Sequence, residues 1–248
     1  MSSTVTLPDF YTPTEKIAIK CDEDMDRLCR RILVAIPYTT DRGILPQLQD
    51  LTVYWKSAGI EVVRFPNTGG FLDVVRCHSA NTFLEDYPTR DFLIMIDSDI
   101  VPEDPGSVLQ LAQWNVPIVG ALCVVKNPEG ELVANYGAET PWGVRSPKLQ
   151  KDKIKIESGD LLPVKWVGAG LLCIQRNVLT QIENPFLLPE SLRLEAAKTG
   201  TFSESEDQVF CRKAREAGFQ VLVDPTITPT HMKLQPLVWA NPSTSHTK

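Results

Sequence analysis

The sequence holds no apolar run that approaches membrane-spanning length. Its first residues lack the basic-then-apolar pattern of a secretory signal. Six cysteines are present (Cys21, Cys29, Cys77, Cys123, Cys173, Cys211), but no CxxC pair and no zinc-like spacing. Several fall inside apolar stretches, as reduced core cysteines do. Positive charge is not in excess: 25 Lys and Arg stand against 31 Asp and Glu, for a net charge of −6. That balance argues against broad electrostatic binding of nucleic acid, which needs clustered basic residues, while leaving room for a local basic groove. No internal repeat is visible. These absences lead to the expectation of a soluble, reduced, cytoplasmic protein with no membrane span.

What is present is enough for a large core. The chain has 248 residues, of which 43% are apolar, so one large domain or two small ones need no covalent staples. Residues 1–28 are polar and acidic and read as a tail or an edge wrapping. A strand over 31–36 is stopped by Pro37. A helix over 45–58 ends at Gly59, and a second strand covers 60–65. A helix over 71–85 follows, then a strand over 92–96. Pro105 opens a helix that runs to Trp114, and a fourth strand covers 117–125. This alternation predicts an α/β fold with a mostly parallel central sheet flanked by helices. The pattern then becomes mixed. A turn is expected at Asn127-Pro128-Glu129-Gly130, and 137–160 is irregular. A strand-like run over 162–174 surrounds Gly168-Ala169-Gly170, and a short helix covers 176–182. A poorly patterned segment over 184–204 reads as a candidate mobile lid. A helix over 205–217 and a strand over 219–223 precede a Pro- and Ser-rich tail from 234.

The most informative stretch is Phe92-Leu93-Ile94-Met95-Ile96-Asp97-Ser98-Asp99. Five apolar residues without alternation suit a strand buried on both faces. Along a strand, residues i and i+2 share a side, so Asp97 and Asp99 are expected to aim into one space at its carboxyl end. In open α/β sheets that end is where ligands sit. Two adjacent anions repel unless a positive charge lies near, and a hard divalent cation carrying a phosphate-bearing substrate suits them. Two solvated aspartates capping a turn are the plain alternative.

Five pieces in order resemble the GT-A glycosyltransferases, nucleotide-sugar-dependent enzymes with a single Rossmann-like domain. They are Ile36-Pro37-Tyr38, Ile96-Asp97-Ser98-Asp99-Ile100, Val167-Gly168-Ala169-Gly170, Ser205-Glu206-Asp207-Gln208-Val209-Phe210-Cys211, and Asp224-Pro225 followed by His231. The resemblance spans 31–233 and is nearest to small prokaryotic or phage-type members. It implies a domain over 29–233, with a nucleotide-binding half (29–125) and an acceptor-binding half (126–233), followed by a tail over 234–248.

By that resemblance, Asp97 contacts the nucleotide ribose or a metal-bound water. Asp99 ligates Mn²⁺ or Mg²⁺, and His231 is the late third ligand, so the metal set is Asp97, Asp99 and His231. In inverting members the residue matching Asp207 takes the acceptor's proton, with Glu206 the second candidate. A capping box from Ser205 to Gln208 explains the same helix start without catalysis. Gly168, Ala169 and Gly170 would form a donor-sugar or acceptor wall with Trp166 as a stacking surface; a β-bulge is the plain alternative. Pro37, Tyr38, Thr39 and Ser98 would border the nucleotide. Family members carry an Arg-Asn pair on the helix before the carboxylates. Here Asn81 fits, Ala80 stands where Arg would be, and Arg76 could reach the same face one turn back. The implied donor is a UDP- or GDP-sugar. The acceptor is open among saccharide, lipid, protein, small metabolite and modified nucleobase.

Two other enzyme classes share parts of this pattern. Haloacid-dehalogenase-type phosphatases use an apolar strand ending in Asp-x-Asp, with the first Asp as nucleophile. Val101 meets their spacing, but Gly159-Asp160 is followed by Leu161-Leu162-Pro163-Val164, which does not. Nucleotidylyltransferases need a glycine-rich basic loop after the first strand, which Pro37-Tyr38-Thr39-Thr40-Asp41-Arg42-Gly43 does not supply. A non-catalytic nucleotide-sugar-binding relative is opposed only by Asp207 and His231.

Overall fold

The computed structural model describes residues 16–39, 43–67, 71–126, 130–140, 143–148, 161–201 and 203–232. The expected turn at Asn127-Pro128-Glu129 and most of the irregular stretch up to 160 lie outside these residues. So do the first fifteen positions and the C-terminal tail.

The first half alternates as its periodicity predicts. Helix α1 (Asp22–Cys29) leads into β1 (Ile32–Thr39), followed by α2 (Pro46–Ser57), β2 (Glu61–Asn67), α3 (Leu72–Asp86) and β3 (Phe92–Ile96). Next come β4 (Ile100–Val101), α4 (Ser107–Gln113), β5 (Ile118–Ala121) and β6 (Val124–Lys126). The second half holds β7 (Leu132–Ala134), β8 (Tyr136–Thr140), β9 (Gly143–Arg145), β10 (Leu162–Pro163), β11 (Trp166–Val167) and β12 (Leu171–Gln175). It closes with α5 (Arg176–Leu179), α6 (Glu190–Thr199), α7 (Glu206–Glu216), β13 (Val221–Asp224) and β14 (Thr230–His231).

The central sheet has seven strands in the order β10-β13-β5-β12-β3-β1-β2. β1 runs parallel to β2 and β3, and β13 parallel to β5. β12 runs antiparallel between β3 and β5, so it joins two parallel groups. This mainly parallel, helix-flanked sheet is the α/β architecture that the alternation predicts. Helices cover both of its faces, which explains the unbroken apolar strands. In β1, Ile32, Val34 and Ile36 enter one core with Trp55, Ile94 and Ile96, whereas Leu33 and Ala35 enter the other with Phe83, Met95 and Phe210. All five residues of β3 are buried. At about 1.5–3 kcal/mol per large apolar side chain, that strand is a firm support for whatever follows it.

Several expectations change. The acidic stretch before 29 forms α1, because Asp22, Glu23 and Asp24 favour a helix's first turn and Leu28 and Cys29 bury against the sheet. β1 continues through Pro37 to Thr39. Its pairing with β3 ends at Ala35↔Met95, so a missing N–H at Pro37 falls where one side of the strand is open. The expected strand over 117–125 divides into β5 and β6. After β5 leaves the sheet, the Leu122 N–H donates to Ile227 O (2.9 Å) and β6 pairs instead with β7. The run over 162–174 is three short strands, with β11 turned out to pair with β8. The segment over 184–204 is no unpatterned lid: it contains α6 and is tied down through Asp73. The Leu188 N–H donates to Asp73 Oδ2 (2.9 Å) and the Arg193 guanidinium pairs with the same oxygen. Sequence periodicity missed α6 because none of its residues is buried. No helix among the described residues is long and apolar enough to cross a membrane.

All six cysteines are free, and only Cys21 is exposed. Burial pushes the thiols of Cys123 and Cys211 up to about 12 and raises Cys173 further. At pH 8 these groups stay protonated and poorly nucleophilic. A native thiol titration is therefore expected to show one rapidly reacting group, lost in Cys21→Ser, with the remaining five reacting only after denaturant is added.

Candidate active site

β3 ends at Ile96, and Asp97-Ser98-Asp99 forms a turn rather than a continuation of the strand. The Asp97 N–H donates to Gly170 O (3.0 Å) and the Ile100 N–H returns to Asp97 O (3.0 Å). The rule that i and i+2 share a face stops with the strand, and the two carboxylates are sent to different partners. Asp97 meets a buried guanidinium; Asp99 meets an imidazole.

The guanidinium belongs to Arg76 on α3, which is 2% exposed. Its Nη2 donates to Asp97 Oδ1 (2.7 Å), its Nε to Glu206 Oε1 (3.2 Å) and its Nη1 to Ala169 O (3.3 Å). One planar fork thus joins α3, the carboxylate turn, the Gly-Ala-Gly segment and the start of α7. Burial lowers the Arg76 pKa, but the charges of Asp97, Glu206 and Asp207 more than offset this and leave it above its ordinary value. Asp97 is raised by desolvation, against the pull of Arg76 and with the charge of Asp99 adding to the rise.

His231 arrives from the far end of the chain. β14 pairs antiparallel with β4, setting His231 opposite Ile100. The Met232 N–H donates to Asp99 O (2.8 Å), and His231 Nε2 lies 3.2 Å from Asp99 Oδ2. The N-terminus of α7 faces Arg76. Ser205 and Gln208 form the expected capping box, with the Ser205 N–H on Gln208 Oε1 (3.0 Å). The Ser205 hydroxyl and the Gln208 N–H (2.9 Å) both reach Asp207 Oδ1. Among the described residues, no hydrogen bond engages Asp207 Oδ2.

The remaining sequence candidates divide. Pro37 is buried and Tyr38 and Thr39 are half-buried at the end of β1, in register with Phe65, Pro66 and Asn67. The Leu45 N–H donates to Ser98 O (3.5 Å), joining the loop after β1 to the carboxylate turn. Arg76 lies with the carboxylates, whereas Asn81 is exposed on α3. Five residues along a helix rotate it by about 140° from Arg76, away from this face. The two glycines serve protein packing. A Cβ on Gly168 would stand 1.8 Å from Asn135 Nδ2, and one on Gly170 would meet Cys123 Sγ and Ile100 Cγ1 at 3.3 Å. The space over these two glycines is therefore filled by side chains. Trp166 likewise lies against Gly137, where a Cβ would fall 2.0 Å from its Nε1.

Asp97, Asp99 and His231 do not close into a ligand set. Among the described residues, no group of three His, Cys, Asp or Glu side chains can hold a metal alone. The donors that do converge are the Asp99 carboxylate and the His231 imidazole. This oxygen–nitrogen pair fits Mn²⁺ or Mg²⁺ when substrate phosphates complete the coordination, as is usual for these ions. A separate cavity of about 430 Å³, lined by Glu23, Asp26, Arg27, Arg30, Arg31 and Thr89, sits at the start of β1 and contains none of these residues.

Sequence reasoning missed two buried carboxylates. Asp73, one turn before Arg76, holds Leu188 and Arg193, while the Arg193 guanidinium lies 4.7 Å over the Phe71 ring. Asp224 carries a sequence signal only through the Asp224-Pro225 pair. Its partners Gln110 and Trp114 are over 100 residues away, so spacing carries no signal of them.

No family model matches this sequence, and no curated protein does. Solved structures do resemble its fold. The protein A197 from STIV superposes with a TM-score of 0.57 at 18% identity, over 82% of this chain and 86% of that one. GalNAc-T7, crystallised with UDP, GalNAc and Mn²⁺, gives 0.47 at 14% identity over 91% of this chain and 46% of its own. The catalytic domain of Drosophila beta1,4galactosyltransferase 7, in complex with xylobiose, gives 0.46 at 14% identity over 82% and 71%. The likeness to A197 is one of fold alone, and the two lower scores carry no argument about this chain.

Removing Arg76 strands two carboxylates that are 29% and 17% exposed. Arg76→Leu is expected to lower unfolding free energy by about 3–5 kcal/mol in urea melts. Arg76→Lys is expected to recover little, because an ammonium cannot serve the three directions of the fork. A loss below about 1 kcal/mol would show that the bridge is not structural.

Proposed function

We propose that this chain is a metal-dependent glycosyltransferase that moves a sugar from a nucleoside-diphosphate donor to an acceptor hydroxyl. The approach of His231 Nε2 to Asp99 Oδ2 at 3.2 Å is the observation that carries this reading. Two metal-type donors 132 residues apart in sequence meet at the carboxyl edge of a GT-A-like sheet. That edge is where such sheets bind nucleotides. The ordered motifs described above add to it.

In this reading Asp99 and His231 hold Mn²⁺ or Mg²⁺ together with the donor's diphosphate. The ion, when bound, stabilises the negative charge growing on the departing nucleoside diphosphate. Asp97 keeps Arg76 in place, and the pair sets the floor of the site. Pro37, Tyr38 and Thr39 border the nucleoside of a UDP- or GDP-sugar. Asp207 accepts the proton of the acceptor hydroxyl as its oxygen bonds to the anomeric carbon and the sugar–phosphate bond breaks toward the diphosphate. Asp207 is favoured over Glu206 because the Glu206 carboxylate is already tied to the buried Arg76 guanidinium. The same logic disfavours the phosphatase reading, since Asp97 pairs with Arg76 instead of standing ready to attack a phosphate ester.

Titration with UDP and GDP, with and without Mn²⁺, tests the metal. Affinity is expected to rise with the ion in the native protein and to lose that dependence in Asp99→Ala and in His231→Ala. Equal affinities across these proteins would remove the metal from the site. Once a hydrolysed nucleotide sugar identifies the donor, Asp207→Asn is expected to keep donor binding and lose about 10²–10⁴-fold in transfer. Near-native transfer by that variant would reject Asp207 as the base.

A further inference from the structure

Asp224 is fully buried at the end of β13. Both of its oxygens are saturated by donors. Oδ2 accepts from Trp114 Nε1 (2.7 Å) and Gln110 Nε2 (3.1 Å), both contributed by α4 and its end. Oδ1 accepts from the Thr226 N–H (2.9 Å) and the Thr226 hydroxyl (2.6 Å). The Gln110 amide also reaches the Thr226 hydroxyl (2.9 Å). A carboxylate with four donors from two elements is a rigid joint, since any displacement leaves a buried charge or its donors unsatisfied.

The chain that leaves this joint turns at Pro225 and Thr226, where the Ile227 N–H reaches Asp224 O (3.4 Å), and then runs on as a strap. From 225 to 230 its residues alternate buried and exposed: Pro225, Ile227 and Pro229 inward, Thr226, Thr228 and Thr230 outward. The Leu122 N–H donates to Ile227 O (2.9 Å) midway, and the strap then becomes β14 against β4. With a period of two, His231 falls on the inward side with the odd-numbered residues. A slip of one residue would turn the imidazole outward and bring Thr230 or Met232 toward Asp99.

We infer that Asp224 is a positioning residue: by anchoring Thr226 to α4 it sets the register of the strap and thereby delivers His231 to Asp99. This rests on the metal-site reading of Asp99 and His231. Asp224 itself touches neither the imidazole nor any reacting group. Its action is that of an outer residue that orients a ligand through the backbone.

Asp224→Asn puts an amide donor against other donors and can prevent folding, so the test uses Thr226→Val and Gln110→Leu, each of which removes part of the clamp and leaves Trp114 bonded. Two measurements are made on the full chain. Amide hydrogen exchange is expected to quicken about fivefold or more at Met232, whose N–H pairs with Asp99 O, with no change in β3 or β12. Mn²⁺ affinity in the presence of UDP or GDP, read from the ion's enhancement of water proton relaxation, is expected to fall about tenfold in Thr226→Val. In a His231→Ala background the same change is expected to have no further effect. Unchanged exchange at Met232, or an equal loss of affinity in both backgrounds, overturns the positioning role. If His231→Ala itself leaves Mn²⁺ affinity unaltered, the metal-site reading fails and the positioning role falls with it. A response of Met232 exchange to the clamp variants in that case would separate this failure from an error about the strap.

Discussion

Arg76 carries a full positive charge at 2% exposure, and the arrangement of the site depends on where that charge is satisfied. A guanidinium cannot neutralise itself by losing a proton, so burying one requires anions and carbonyls at fixed positions. Asp97, Glu206 and the carbonyl of Ala169 supply them. These groups come from the turn after β3, the start of α7 and the segment before β12. One side chain therefore sets the distance between the carboxylate turn and the helix that carries Asp207. It also decides the fate of the acidic pair, because an Asp97 drawn to Arg76 leaves Asp99 to turn toward His231.

Around this strut the chain closes on itself from both ends. The N-terminal half contributes the buried strand that holds the turn. The C-terminal half contributes α7 and the strap that ends in β14. β12, antiparallel between two parallel groups, lets the second half pack directly on β3, and the Asp97 N–H is bonded to Gly170 O at that seam. The glycines there permit close approach of protein to protein. Asn135 fills the space over Gly168, and Ile100 and Cys123 that over Gly170, so the seam is a packed wall beneath the site.

A second layer of buried carboxylates supports the first. Asp73 holds the chain entering α6 onto α3, one turn from Arg76. Asp224 holds the chain leaving β13 onto α4. Each lies at the end of an element and receives donors from residues distant in sequence. The consequence is that segments with little apolar area, such as α6 with no buried residue, still take a defined path.

The amino-acid sequence by itself determined the elements whose burial writes a period into the chain. The unbroken apolar run of β3, the helices α2, α3 and α7, the capping box at Ser205 and the reduced core cysteines were all legible, because each depends on neighbours in sequence. The ordering of motifs also placed Asp99, His231, Arg76 and Asp207 among the candidates. Only the tertiary structure decided what those residues do to one another. Strand alternation could not foresee that β3 stops at Ile96 and that Asp97 and Asp99 take different partners. Glycine content could not tell a ligand wall from a packing seam. The physical reason is common to both: a local pattern records which side of an element faces the core, whereas an ion pair or a close contact joins residues on different elements, from 21 residues apart for Arg76 and Asp97 to 132 for Asp99 and His231, and leaves no periodicity in either partner.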